Sequence, residues 1–139
     1  EELSLPAKRI FLVESLMSGV LGEGFWGYLH NVRGANACET LSSLKEIKAF
    51  KTADLLSVVI NCFRNGIPPS ERLERTTEME LMSDRFLEVC SSLDNVFYIA
   101  IGTHPEQKTK EENLWQLCLN YIDLHKNVEI FDVKKGRTD

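Results

Sequence analysis

The stretch Gly22-Glu23-Gly24-Phe25-Trp26-Gly27-Tyr28-Leu29-His30-Asn31, running on to Gly34, decides the fold. Three aromatic residues stand among three glycines, directly after an amphipathic helical segment. Glycine lets the chain turn and lets backbones approach closely. Phe25, Trp26 and Tyr28 bring large apolar surface to the same place. Such a segment is either a packed corner between helices or a recognition surface. Helical geometry cannot aim Phe25 and Trp26 the same way, so Phe25 and Tyr28 are expected inward and Trp26 partly exposed. Gly24, Phe25, Tyr28, Asn31 and Gly34 then form the structural corner. Trp26 is a candidate partner contact, because Trp is a favoured hot-spot residue.

Upstream, Ile10, Val13, Leu16, Met17, Val20 and Leu21 recur at helical intervals over residues 5–21. Ser4 can cap that helix, Pro6 suits its first turn, and Gly22 is the expected stop. Phe25 to Asn31 reads as a short helix ended by Gly34. Asn36, with Glu39 three residues on, is expected to cap the next helix, whose stripe is Leu41, Leu44 and Ile47. Thr52 starts a further helix, with Leu55, Leu56, Val59, Ile60 and Phe63 inward. Asn65-Gly66 stops it, and Pro68-Pro69 enforces an extended connection.

Ser70 opens a long acidic helix. Val96 to Ile101 suits either a short strand or a short buried helix, and the helix is favoured because a lone strand is unstable. Gly102 to Lys110 is a loop. Thr109 and Glu112 match a capping box for a helix carrying Leu114, Leu117, Cys118, Tyr121, Ile122 and His125. Val128, Ile130 and Phe131 suggest a short apolar tail, and residues 134–139 a frayed end. The expectation is one all-α domain over residues 1–139: a bundle of six or seven helices with the glycine–aromatic corner after the first.

The 139 residues suit a single core, and 43% hydrophobic with 27% charged is an ordinary globular balance. No apolar run approaches the roughly 18 residues of a membrane span. Residues 1–21 keep a helical period, interrupted by Glu14 and Ser15, and do not resemble a signal peptide. The expected location is the cytoplasm, away from membranes. Cys38, Cys62, Cys90 and Cys118 form no C-x-x-C pair, and none stands at metal-ligand spacing from a histidine. Reduced core thiols are expected, with no metal and no cofactor. No phosphate-cradling loop occurs, and Gly22-x-Gly24 follows a helix where a dinucleotide site needs a strand.

The net charge of −5 is unevenly placed. Residues 71–94 hold seven acids and three bases, Arg72, Arg75 and Arg85, so four of the five excess charges lie there. Direct nucleic-acid binding needs a basic footprint and is excluded on that ground. Glu71, Glu74 and Glu78 follow a three-then-four spacing and should share one helix face. That face is either an ordinary solvated surface or the contact for a basic protein. Glu23, His30 and Asn31 could flank a small polar cleft capable of acid–base chemistry. Without a nucleophile, a metal set or a second carboxylate, helix capping is the favoured role, and no catalytic residue is assigned.

Several fragments together resemble a family of small bacterial domains of unknown general function that includes a DNA-mimic protein. The main one is Gly22-Glu23-Gly24-Phe25, then Tyr28, Asn31 and Gly34. Family members write it approximately as Asn-Gly-Gly-Phe, an aromatic, then Asn and Gly, so this chain departs at Gly22 and Glu23. The helix at 52–64, Leu93-Asp94 with Phe97-Tyr98, and Tyr121-Ile122 with His125 follow in the family's order. The resemblance implies a mainly helical fold and, for the DNA mimic, binding through acidic surface to a DNA-binding protein. The function expected overall is a non-catalytic protein-binding module, regulatory in character, that presents an acidic helix face to a basic partner. An immunity-type protein neutralising a toxin, and a DNA mimic, are the alternatives. A small enzyme with a cleft at Glu23 and His30 is the least favoured.

Overall fold

The computed structural model describes residues 3–103 and 110–126. They form α1 (Leu5–His30), a 3-10 turn (Val32–Asn36), α2 (Ala37–Glu46), α3 (Phe50–Asn61), α4 (Arg72–Ile101) and α5 (Leu114–His125). The fold is an all-α bundle, with no strand among the described residues. α1 packs against α2, α4 and α5, and α3 bridges α2 and α4.

α1 begins as its sequence requires. Ser4 accepts from the Ala7 N–H at 3.4 Å, and Pro6 occupies the first turn, where no N–H is needed. Val13, Leu16 and Val20 are fully buried along one stripe. Gly22 does not stop the helix, contrary to expectation. Helical conformation continues to Gly24, whose φ of 73° and ψ of 176° kink the chain. Only glycine adopts that conformation readily. The segment after the kink resumes as a helix and ends at Asn31, ahead of the expected Gly34.

Three further local expectations are corrected. Asn36 precedes α2 but makes no side-chain cap; Thr40 Oγ1 donates to the Asn36 carbonyl instead, at 2.8 Å, and Glu39 pairs with Lys8 at 3.1 Å. α3 starts at Phe50 and not Thr52. α4 starts after Glu71 and not at Ser70, because the Glu71 carboxylate accepts from the Glu74 N–H at 2.7 Å. Val96 to Ile101 is helical, as favoured, but belongs to α4, which runs unbroken for 30 residues. It ends at Gly102 in the left-handed region, φ 79°, the usual helix stop.

The Glu112 carboxylate is not the third position of a box with Thr109, which lies outside the described residues. It accepts from the Lys51 and Thr52 N–H groups, each at 2.9 Å, and from Thr52 Oγ1. It thus caps α3 from 60 residues away, while α5 is capped by Asn113, which accepts from the Gln116 N–H at 3.0 Å. The apolar tail and frayed end expected over residues 128–139 also fall outside the described residues.

Candidate functional site

The corner is built from α1 beyond its kink, the 3-10 turn and two side chains of α4. Phe25 and Tyr28 point inward and are buried, and Trp26 is half-buried, its ring stacked on His30 at 4.4 Å. Phe25 meets Phe97 of α4 edge to face at 5.8 Å. Burying Phe25 completely stabilises the joint by about 1.5–3 kcal/mol. The Tyr28 hydroxyl donates to Thr40 Oγ1 at 3.2 Å. Burial pushes the Tyr28 phenol above its ordinary value, against the opposing pull of that bond and of Arg75.

α1 restarts after the kink with a cap taken from another helix. The Phe25 N–H donates to Asp94 Oδ1 at 2.7 Å. A β-carbon on Gly24 would lie 2.4 Å from Asp94 Oδ2, so this glycine is required for space as well as conformation. Burial raises the Asp94 carboxyl above the ordinary carboxylate range, and the Phe25 N–H pulls the other way.

The other end of this short helix is held by Arg75, which is 0% exposed. Its Nε donates to the Leu29 carbonyl at 2.6 Å and its Nη2 to the Asn31 carbonyl at 2.7 Å. Nη1 donates to the carbonyls of Pro69 and Ser70, both at 3.0 Å. Terminal carbonyls of a helix lack internal donors and carry the negative end of its dipole. A planar guanidinium meets both needs at once. Burial lowers the Arg75 pKa, aided by nearby Arg72. Gly34 lets this packing occur: a β-carbon there would stand 2.5 Å from the Leu29 carbonyl oxygen. Asn31 closes the corner. Its Oδ1 accepts from the Arg33 N–H at 3.1 Å, and its Nδ2 donates to Glu23 Oε2 at 3.1 Å.

Glu23 and His30 therefore have separate partners, Asn31 and the Trp26 ring. Among the described residues no group of three or more His, Cys, Asp or Glu side chains is placed to hold a metal ion. No described helix is long and apolar enough to cross a membrane.

The three glutamates singled out by spacing have different settings. Glu71 is spent on its own helix start, and half-buried Glu78 accepts from the Arg64 N–H. Glu74 is exposed. Glu80, Asp84 and Glu88, which that spacing passed over, are exposed at i, i+4 and i+8, turned away from buried Met79, Phe86 and Cys90. Each step between them advances about 6 Å along the helix. Of the bases in this segment, Arg75 is buried and Arg72 Nε donates to the His30 carbonyl at 3.1 Å. Arg85 is exposed. The four-residue spacing of 80, 84 and 88 was visible in the sequence. The withdrawal of Arg75 was not, because no local rule says which arginine finds a helix end elsewhere.

The kinked first helix, its borrowed cap and its buried arginine define an all-α domain organised around a glycine–aromatic joint. The chain belongs to the DMP19-like protein family, which matches residues 1–125. That family is one of DNA-mimic proteins. No curated protein and no solved structure matches the chain.

Proposed function

We propose that this protein is a non-catalytic binding module whose α4 presents carboxylates to the basic surface of a DNA-binding protein. Family membership supports the class of partner. The observation that carries the choice of surface is the fate of the bases in residues 71–94. Arg75 is buried against four carbonyls, so its guanidinium is not displayed beside exposed Glu74, Glu80, Asp84 and Glu88; of the three bases only Arg72 and Arg85 are exposed, and Arg72 is turned to the His30 carbonyl. A row of one charge per 6 Å or so has somewhat over half the axial charge density of one DNA strand, about one per 3.4 Å. Lysines and arginines arranged for phosphates would meet it with favourable, salt-sensitive attraction. Trp26 is a second contact in this scheme. Its ring stacks on that of His30, whose backbone carbonyl accepts from Arg72 in the first turn of α4. Glu71 and Glu78 contribute charge from tethered positions.

The test is retention of proteins from the native cell on the immobilised domain, with duplex DNA as competitor. A DNA-binding protein should be retained, released by the duplex, and lost when Glu80, Asp84 and Glu88 are replaced together by Lys. Retention indifferent to both the duplex and the reversal would overturn the proposal, and a retained toxin would replace it with the immunity function.

A further inference from the structure

Glu23 is exposed, yet its side chain is fixed. It stands one residue ahead of the Gly24 kink and lies over Gly27, where a β-carbon would come 2.3 Å from Glu23 Cβ and 2.9 Å from its Oε2. Oε2 then accepts from Asn31 Nδ2 at 3.1 Å. Asn31 is itself held, by the Arg33 N–H on its Oδ1 and by Arg75 on its carbonyl. Ordering a glutamate at the surface costs side-chain entropy, and one exposed neutral donor offsets little of it. Among the described residues no lysine, arginine or histidine pairs with this carboxylate. A negative charge is thus held in place without a cation of its own.

The aromatic pair beside it supplies the other half of a site. Gly27 shares a helix face with His30 and Asn31, three and four residues on. The carboxylate over Gly27 therefore lies alongside His30, whose ring stacks on that of Trp26 at 4.4 Å and 18°. Both aromatic residues are only half-buried. Open space adjoins at Gly22, which is exposed and has nothing within 4 Å of its would-be β-carbon.

We propose that this corner binds one arginine side chain of the partner, with the guanidinium plane laid on the Trp26–His30 pair and its N–H groups donating to the Glu23 carboxylate. The proposal rests on the function argued above and gives the Trp26 contact its chemistry. The groups present select among occupants. An anion would meet the Glu23 charge. An apolar side chain would strip water from the carboxylate and give it no bond in return. A lysine ammonium answers the charge, but it is a strongly hydrated point charge with no plane to stack. A guanidinium is planar, weakly hydrated, forked to match a carboxylate and attracted to the face of an indole. Arg72 donates instead to the His30 carbonyl. A DNA-binding protein has such arginines to offer, because arginine reads both phosphate and guanine.

Three capped tripeptides test this, with arginine, lysine or citrulline between two glycines. Citrulline keeps the shape of arginine without its charge. Binding to the full chain is followed by NMR at the Trp26 indole N–H and the Asn31 side-chain amide. The indole of Trp115, 53% exposed on α5, is the control. The arginine peptide should saturate both corner signals, binding about tenfold more tightly than citrulline and about threefold more tightly than lysine. Trp115 should not follow that curve. Glu23→Gln keeps an acceptor for Asn31 and should bring arginine to the level of citrulline. Trp26→Leu, followed at the Asn31 amide, should bring arginine to the level of lysine. Equal binding of arginine and citrulline would overturn the proposal, as would an arginine preference unchanged in Glu23→Gln. Equal shifts at Trp115 and Trp26 would also overturn it, as general attraction of a cation to an acidic protein. If Glu23→Gln fails to fold, the three peptides on the unaltered protein still decide. Duplex-competed retention reads the α4 function separately. Loss of the arginine preference overturns the corner site and leaves that function standing. Loss of retention with the preference intact supports the corner site and overturns the acidic helix alone.

Discussion

Arg75 lies against Gly34 so closely that a β-carbon on the glycine would stand 2.9 Å from its Nε. The same β-carbon would be 2.5 Å from the Leu29 carbonyl oxygen and 2.8 Å from Leu29 Cα, backbone atoms that cannot rotate away. Gly34→Ala should therefore cost about 2 kcal/mol or more, near the upper end of overpacking penalties. Arg75→Met should cost at least about 3 kcal/mol, because four carbonyls lose their donor inside the protein. Arg75→Lys should fall between, since an ammonium cannot span those positions as a planar fork does. Urea unfolding midpoints check all three. An Arg75→Met variant as stable as the parent would remove the guanidinium from the account of the corner.

Two glycines two residues apart should respond to alanine with opposite signs. Gly22 is helical, with nothing within 4 Å of its would-be β-carbon, so Gly22→Ala should stabilise by about 0.5–1 kcal/mol. Gly24 combines positive φ with the Asp94 carboxylate in the space a methyl would need. Gly24→Ala should destabilise by about 2 kcal/mol, within the usual range for such backbone strain. Thermal unfolding of the pair, measured side by side, decides it.

Most of the secondary structure was legible because it is set by local rules. The periodicity of Val13, Leu16 and Val20, the Ser4 cap and the aromatic spacing at Phe25 and Tyr28 all act within a few residues. What sequence reasoning missed is carried by contacts between distant residues. Glu112 looked like a box partner for Thr109, yet it caps α3. Arg75 counted only as one of three bases in the acidic segment, yet it serves the end of α1. The acidic bias of residues 71–94 was plain, but the half-burial of Glu78 goes with its bond to the Arg64 N–H, fourteen residues away, which no local rule supplies.

Thiol chemistry should separate the four cysteines. Cys38 is exposed and Cys62 half-buried, and burial raises both thiols above their ordinary value. Burial pushes Cys90 to about 12 and Cys118 to about 11. At mildly alkaline pH, Cys38 should be alkylated first and Cys62 more slowly, because the thiolate is the reacting form. Cys90 and Cys118 should react only after unfolding. Mass mapping of the labelled sites reads the order directly, and early labelling of Cys118 would contradict the packing of α5 on α1.

The long-range cap on α3 should be measurable by coupling. Glu112→Ala should cost about 1–2 kcal/mol, as loss of a helix cap usually does. Thr52→Val removes one of the three bonds the carboxylate receives. The double variant should lose less than the sum of the singles, because both delete the hydroxyl–carboxylate bond. Strict additivity in urea unfolding would mean that bond contributes nothing to stability.

The Asp94 cap should give the protein an unusual acid response. Burial outweighs the Phe25 N–H bond, so the carboxyl holds its proton more tightly in the folded chain than at the ordinary aspartate value of 3.8. The folded state then binds more protons than the unfolded one between those two values. Stability from this group is full below the unfolded value and declines as pH rises through the folded one. Cys90 and Tyr98 feel the Asp94 charge, but both titrate far above this window. Asp94→Asn keeps an acceptor for the Phe25 N–H and carries no charge. Its stability relative to the parent should therefore improve as pH rises past the ordinary aspartate value and level off once the folded carboxyl has lost its proton, since linkage acts only while the group titrates. Asp94→Ala, with no acceptor, should be destabilised throughout by about 1 kcal/mol. Unfolding free energies of the three proteins across that range give the slope. A slope of opposite sign would mean that the charge-assisted bond to Phe25, and not burial, governs the carboxylate that locks the kink in α1.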